Sequence, residues 1–278
     1  MTTLDSLKDR YLDVKERVAR AAERAGRDPR EIVIVAVSKY SGIDEVRDLI
    51  GMGHRDFGES QVQQLMQRAS MIAEWSARHR LVGSAAAEGA ATPAPVRWHM
   101  IGHLQRNKVR KAIELSRLVH SVDSLRLAEE IQHAAMRTDM VAEVLLQVNC
   151  SGEASKFGCA VPAALHLAEQ MDTMMNVRLR GLMTMAAPTA VGEEARPTFA
   201  RLRELFEDMR RAGVGADRPA GAGFDLLSMG MSGDFEAAIG EGANVLRLGS
   251  AIFGVGRAGS TDGGHDGADH GDDDAGGE

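Results

Sequence analysis

Residues 31–40, EIVIVAVSKY, form a continuous run of Ile, Val and Ala that ends in a lysine. A run apolar at successive positions suits a strand buried on both faces, as in parallel sheets covered by helices. Lys39 leaves that strand at its C-terminal end, where desolvation lowers the pKa of an ammonium and makes the amine a candidate for Schiff-base formation. Strand-end lysines also snorkel to solvent, so the meaning of Lys39 depends on what the other strands end in.

Upstream of this strand, Leu4, Leu7, Tyr11, Val14, Val18 and Ala21 fall three or four residues apart, which predicts a helix over residues 4–25. Gly26 stops it and Asp28-Pro29 turns the chain into the strand. Downstream, strands are expected at 54–57, 97–101, 118–121, 141–149, 177–183, 224–228 and 244–248. Helices are expected at 44–50, 62–77, 105–115, 125–137, 196–212 and 235–241, and Pro162 suits the first turn of another. Eight strands each followed by a helical segment predict a parallel (β/α)8 TIM-type barrel preceded by an extra helix; the competing arrangement is an open α/β sheet.

Domain boundaries follow from composition. Residues 1–257 are expected to form the barrel, interrupted at 78–96 by RHRLVGSAAAEGAATPAPV, a stretch of small residues and prolines with no period, which reads as a flexible insertion. Residues 258–278 are rich in Gly and Asp and nearly devoid of apolar side chains, so the acidic tail is expected to be disordered. His265 and His270 within it offer at most weak metal ligation.

Charge and composition exclude several classes of function. The chain has 278 residues, 44% hydrophobic, and a formal net charge of −7. Asp262, Asp266, Asp269, Asp272, Asp273, Asp274 and Glu278 lie beyond the last Lys or Arg and account for that charge, leaving the barrel near neutral. A nucleic-acid surface is not expected. No apolar run reaches membrane-spanning length and the amphipathic start lacks a signal peptide's apolar centre, so a soluble cytoplasmic protein is expected. Cys150 and Cys159 are too few for a disulfide framework and lack companions at zinc-site spacing.

In such a barrel every strand C-terminus opens on the face that holds the active site. The residues to read together are therefore Lys39, Glu59, His103, Ser121, Asn149, Met183, Ser228 and Arg247. The loops after the last two strands read SMGMSGD and RLGSAIFG, where Ser228, Ser232 and Ser250 offer hydroxyls and Gly230 and Gly249 let main chain approach an anion. Loops in these positions commonly bind phosphate. An imine-forming lysine facing a phosphate cup suits pyridoxal 5′-phosphate (PLP), an aldehyde that carries a phosphate anchor. Arg247 could then meet the pyridine nitrogen, or instead pair with Glu59.

The segments AVSKY, FGES, WHMIGHLQRNKVR, HSVDS, QVNCSGEASKFG, GLMTM and LSMGMSGDFEAAIGEGANVLRLGSAIFG resemble the pyridoxal phosphate homeostasis proteins, which look like the N-terminal barrel domain of alanine racemase. The resemblance spans residues 4–256. It implies PLP held as an internal aldimine on Lys39, its phosphate by Ser228, Gly249 and Ser250, and its ring nitrogen by Arg247. Ser232 and Met229 belong to the same loop, and Asn149 and Ser60 are further candidate contacts. It also implies cofactor storage and delivery, with apo PLP-dependent enzymes as possible partners, rather than turnover. No β domain of the racemase kind is expected after residue 256, and a monomer is expected. A weak racemase using His103 or Tyr40 as proton carrier, and a Schiff-base aldolase, are the alternatives. Two positions depart from the family pattern: Ser60 stands where FGEN has Asn, and Cys150 replaces the Thr of VNTSGE, which places a thiol where it could add to an aldehyde.

Overall fold

The structure, a computed structural model, describes residues 6–83, 94–153, 157–218 and 221–254. The strands are β1 (Val33–Val37), β2 (Asp56–Glu59), β3 (Arg97–Met100), β4 (Ser116–Val122), β5 (Ala142–Asn149), β6 (Cys159–Ala160), β7 (Val177–Met183), β8 (Leu226–Ser228) and β9 (Val245–Leu248). Eight of them close a parallel barrel in the order β1-β2-β3-β4-β5-β7-β8-β9, with β9 back on β1. The expected barrel is therefore found, and the open sheet is not. The two-residue β6 pairs with β5 outside the ring. It carries too few residues to leave a periodic signal, and nothing in the local pattern announces it.

The helices are α1 (Leu7–Arg24), α2 (Ile43–Gly51), α3 (Val62–Gly83), α4 (Val109–Leu115), α5 (Leu125–Arg137), α6 (Val161–Asp172), α7 (Arg196–Arg211), α8 (Phe235–Gly240) and α9 (Ser250–Phe253). Helix α1 is the extra one. Ser6 caps it by accepting the Asp9 N–H at 3.1 Å, and its buried stripe of Tyr11, Val14, Val18, Ala21 and Ala22 closes the seam beside α8 and α9. Arg10 donates to the carbonyls of Ile252 and Phe253 at 2.9 and 3.2 Å, tying α9 to α1. Helix α3 continues to Gly83, six residues into the segment read as an insertion, because its alternation of long and small residues carries no breaker before that glycine. Residues 84–93 of that segment, and the acidic tail with His265 and His270, lie outside the described residues.

Apolar side chains between strands and helices make the main core, with Phe57, Phe199, Phe235, Leu49 and Leu65 fully buried. The barrel interior is different. Successive strand residues face opposite sides, and the inward set includes His99 and Ile101 on β3 and its exit, His120 on β4, Gln147 on β5, Ser228 on β8 and Arg247 on β9. A small apolar plug of Leu118, Leu145 and Met183 shares that space with this polar column.

Candidate functional site at the barrel mouth

A cavity of about 560 Å³ opens at the C-terminal ends of the strands. Lys39, Arg247, Ser60, Ser232, Gly249 and Ser250 line it together. These six were expected there, and period-two geometry explains most of them: Val35, Val37 and Lys39 face inward along one strand, as do Val245, Arg247 and Gly249 along its neighbour.

Lys39 sits in a turn braced from outside the barrel. The Ser41 N–H and hydroxyl both donate to the Ser38 carbonyl at 3.0 Å, and the Ser38 hydroxyl donates to Glu59 Oε1 at 2.6 Å. Arg68 of α3 pairs with the same Glu59 oxygen at 2.9 Å and donates to the Ser41 carbonyl at 2.7 Å. Burial raises the Glu59 pKa, with the Ser38 hydrogen bond and Arg68 acting against it. The desolvated lysine expected from the sequence is not what forms. Lys39 is solvent-exposed, its Nζ 4.8 Å from the centre of the Tyr40 ring, because β1 ends at Val37 and the turn lifts the side chain into the mouth.

Arg247 is its opposite, with 4% of its surface exposed. Its guanidinium donates to Ser228 Oγ at 2.7 Å and to the Thr184 carbonyl at 2.9 Å. Burial pushes its pKa down to about 10, partly offset by Asp234, so it remains a cation at neutral pH. The alternative ion pair with Glu59 is absent, since Glu59 lies on the outward face of β2 with Arg68. No carboxylate lines the cavity among the described residues, and its charged groups are Lys39 and Arg247.

Three expected contacts stand apart from the cavity lining. Ser228 is fully buried, its hydroxyl shared between Arg247 and His120 Nδ1 at 2.8 Å. Met229 is fully buried in the core. Asn149 builds the loop after β5 instead: its Oδ1 accepts from the Ser151 hydroxyl and the Gly152 N–H, and its Nδ2 donates to the Glu153 carbonyl at 2.8 Å. Ser121 also turns outward, donating to the Gly102 carbonyl at 2.5 Å. Gly230 holds a left-handed φ of 95° where a Cβ would meet Ala238 at 2.7 Å, so glycine is needed there for packing against α8, and the residue is not part of the cavity lining. Cys150 is buried and off the cavity, and burial pushes its thiol up to about 11, which removes the basis for addition to an aldehyde.

The side of the cavity where a phosphate is expected is stitched together by Ser232, whose hydroxyl accepts the Ala251 N–H at 3.1 Å and joins the loop after β8 to α9. Opposite, His103 stacks on Phe157 with ring centres 4.3 Å apart, and its Nδ1 is 3.8 Å from Asp123. Gln147, Met185, Met231, Phe157 and Phe253 also line the cavity and were missed from the sequence. Gln147 carried a signal, two residues before Asn149 on the inward face of a strand; Phe157, in an irregular loop, carried none.

The family model of the alanine racemase N-terminal domain matches residues 12–257. A pyridoxal phosphate homeostasis protein of Pseudomonas aeruginosa is 38% identical, over 91% of this chain and 96% of its own. Among solved structures, an unknown protein from Bifidobacterium adolescentis is 35% identical with a TM-score of 0.77, covering 89% of this chain and 94% of that one. The structure of PipY from Synechococcus elongatus with PLP bound is 28% identical with a TM-score of 0.67, covering 86% of this chain and all of that one, 100%. By motif, by barrel and by these likenesses, the chain belongs to the pyridoxal phosphate homeostasis protein family, built on the alanine racemase N-terminal domain.

Proposed function

We propose that the barrel mouth binds PLP through Lys39 and that the protein stores and delivers the cofactor instead of turning over a substrate. The observation that carries this is the set of groups around one cavity: a primary amine, a buried guanidinium, serine hydroxyls and glycine-rich main chain, with no lining carboxylate among the described residues. A doubly charged phosphate and an aldehyde suit that set. Ser232, Gly249 and Ser250 would hold the phosphate, Ser60 would approach the ring from the β2 side, and Arg247 would donate to the ring nitrogen. When bound, the cofactor supplies an aldehyde that exchanges between amines and a ring that withdraws electrons.

Arg247 bears on turnover. A guanidinium that stays protonated donates a hydrogen bond to the ring nitrogen and leaves that atom unprotonated, which weakens the ring as an electron sink. We extend this reading to a PLP holder that acts as a monomer in the cytoplasm and passes its cargo to apo PLP-dependent enzymes. Among the described residues no helix is long and apolar enough to cross a membrane.

The test is spectroscopic. Wild type loaded with PLP and dialysed should keep the visible band of a protonated Schiff base, and Lys39→Ala should be colourless; identical spectra would sink the reading. A second reading, weak racemisation, draws on His103 and Tyr40, which line the same cavity. Incubating the loaded protein with L-alanine in deuterated water decides it: Cα exchange above the free-cofactor rate favours turnover, and none favours storage.

A further inference from the structure

A buried chain of hydrogen bonds runs down the barrel interior from Arg247. Its first link is Arg247 Nη1 to Ser228 Oγ at 2.7 Å, followed by Ser228 Oγ to His120 Nδ1 at 2.8 Å. His120 Nε2 then meets His99 Nδ1 at 2.9 Å, and His99 Nε2 meets Asp56 Oδ1 at 3.1 Å. Arg97 closes the far end, its Nε 2.7 Å from Asp56 Oδ1. Ser228, His120, His99, Asp56 and Arg247 are all buried.

The two ends of this chain dictate its middle. A guanidinium only donates, so Ser228 Oγ must accept from Arg247. Burial works against Asp56, but hydrogen bonds from Arg97 and His99 outweigh it and hold the carboxyl well below its usual range, so Asp56 only accepts. His120 is kept neutral by burial, with the Arg247 cation acting in the same direction. A single ring proton on His99 leaves four protons for four contacts, and one arrangement satisfies them all. Arg247 donates to Ser228, Ser228 to His120 Nδ1, His120 Nε2–H to His99 Nδ1, and His99 Nε2–H to Asp56. Every bond dipole then points from the cation to the anion, and each link polarises the next.

We propose that His120 and His99, anchored on Asp56, are positioning residues that fix the Arg247 guanidinium for the ring it faces. The inference rests on the PLP reading only for the identity of that ring. Neither imidazole touches the cavity. Without His120, Ser228 would lose the acceptor that orients its hydroxyl, and Arg247 would keep only the Thr184 carbonyl as an undisturbed partner.

Imidazole and guanidinium 15N spectroscopy on the cofactor-free protein tests the chain itself. Both histidines should be Nε2–H tautomers with Nδ1 unprotonated, and Arg247 should give slowly exchanging N–H signals. His120→Phe should lose those arginine signals, whereas His120→Gln, which offers an acceptor and a donor in the same order, should keep them. With PLP, His120→Phe should bind roughly tenfold more weakly with a shifted visible band, as expected for disturbing one hydrogen bond to a charged group. His120→Gln should resemble wild type. If His120→Phe does not fold by circular dichroism, His99→Phe cuts the next link and carries the same expectations. An Nδ1–H tautomer at either histidine, or a folded cut variant with unchanged arginine signals, overturns the proposal. If wild type fails to bind PLP, the cofactor reading falls while the tautomer and arginine signals still judge the chain.

Discussion

Replacing Arg68 with alanine should destabilise the protein far more at pH 8 than at pH 5. Arg68 sits 2.9 Å from Glu59 Oε1, its own side chain 15% exposed and that of Glu59 fully buried at 0%. The other Glu59 oxygen has no hydrogen-bond partner among the described residues, so Arg68 and the Ser38 hydroxyl are the groups that stabilise the charge. Stripping one partner from a buried pair costs about 3–5 kcal/mol while the remaining group stays charged. Burial has already raised the Glu59 pKa, and losing Arg68 raises it further. A carboxyl whose folded pKa lies above its unfolded value contributes least penalty when protonated, so stability falls as pH rises through the folded pKa. As pH falls through that raised pKa the variant takes up a proton, and the loss should shrink toward about 1–3 kcal/mol, the cost of the broken hydrogen bonds. Urea unfolding at the two pH values measures this. The double variant Arg68→Ala with Glu59→Gln is the control, because it removes the charge but keeps the loss of the Ser41 contact. An equal loss at pH 5 and pH 8, or the same loss in the Glu59→Gln background, would refute the electrostatic account of the Lys39 turn.

Other perturbations follow from the packing. Phe199→Ala empties a fully buried site under α7 and should cost about 3–5 kcal/mol in urea unfolding without changing cofactor stoichiometry. Gly102→Ala should impair both folding and PLP retention, since a Cβ there would collide with the Ser60 backbone, where the β2 and β3 exits approach each other. Calorimetry and dialysis would show this, and a variant as stable as wild type would contradict the packing. Burial raises the Cys150 and Cys159 thiols to about 11 and about 12, so neither should react with a disulfide reagent at pH 7.5 until the protein is unfolded in guanidinium.

The barrel was legible because each βα unit leaves its own period, and the run at 33–37 needed no partner to declare itself a buried strand. Lys39, Arg247, Gly249 and Ser250 were legible for the same reason, being strand exits or the residues just beyond. What the reading lost was parity. Taking the last residue of each strand placed Glu59 and Ser121 in the site, although both face outward, and passed over Gln147 and His120, which face in. Ser228 has the right parity but sits one layer too deep, and depth depends on how the strands stagger around the ring, which no local pattern records. Solvent exposure of Lys39 depends on a brace from α3, a contact between residues 38, 59 and 68 that periodicity does not reveal.

Borohydride reduction of the PLP-loaded protein, followed by peptide mapping, bears most directly on the cofactor assignment. One pyridoxyl group should appear on the peptide that contains Lys39, and Lys39→Ala should carry none there. Label on another lysine with Lys39 unmodified, or equal labelling of the two proteins, would contradict it.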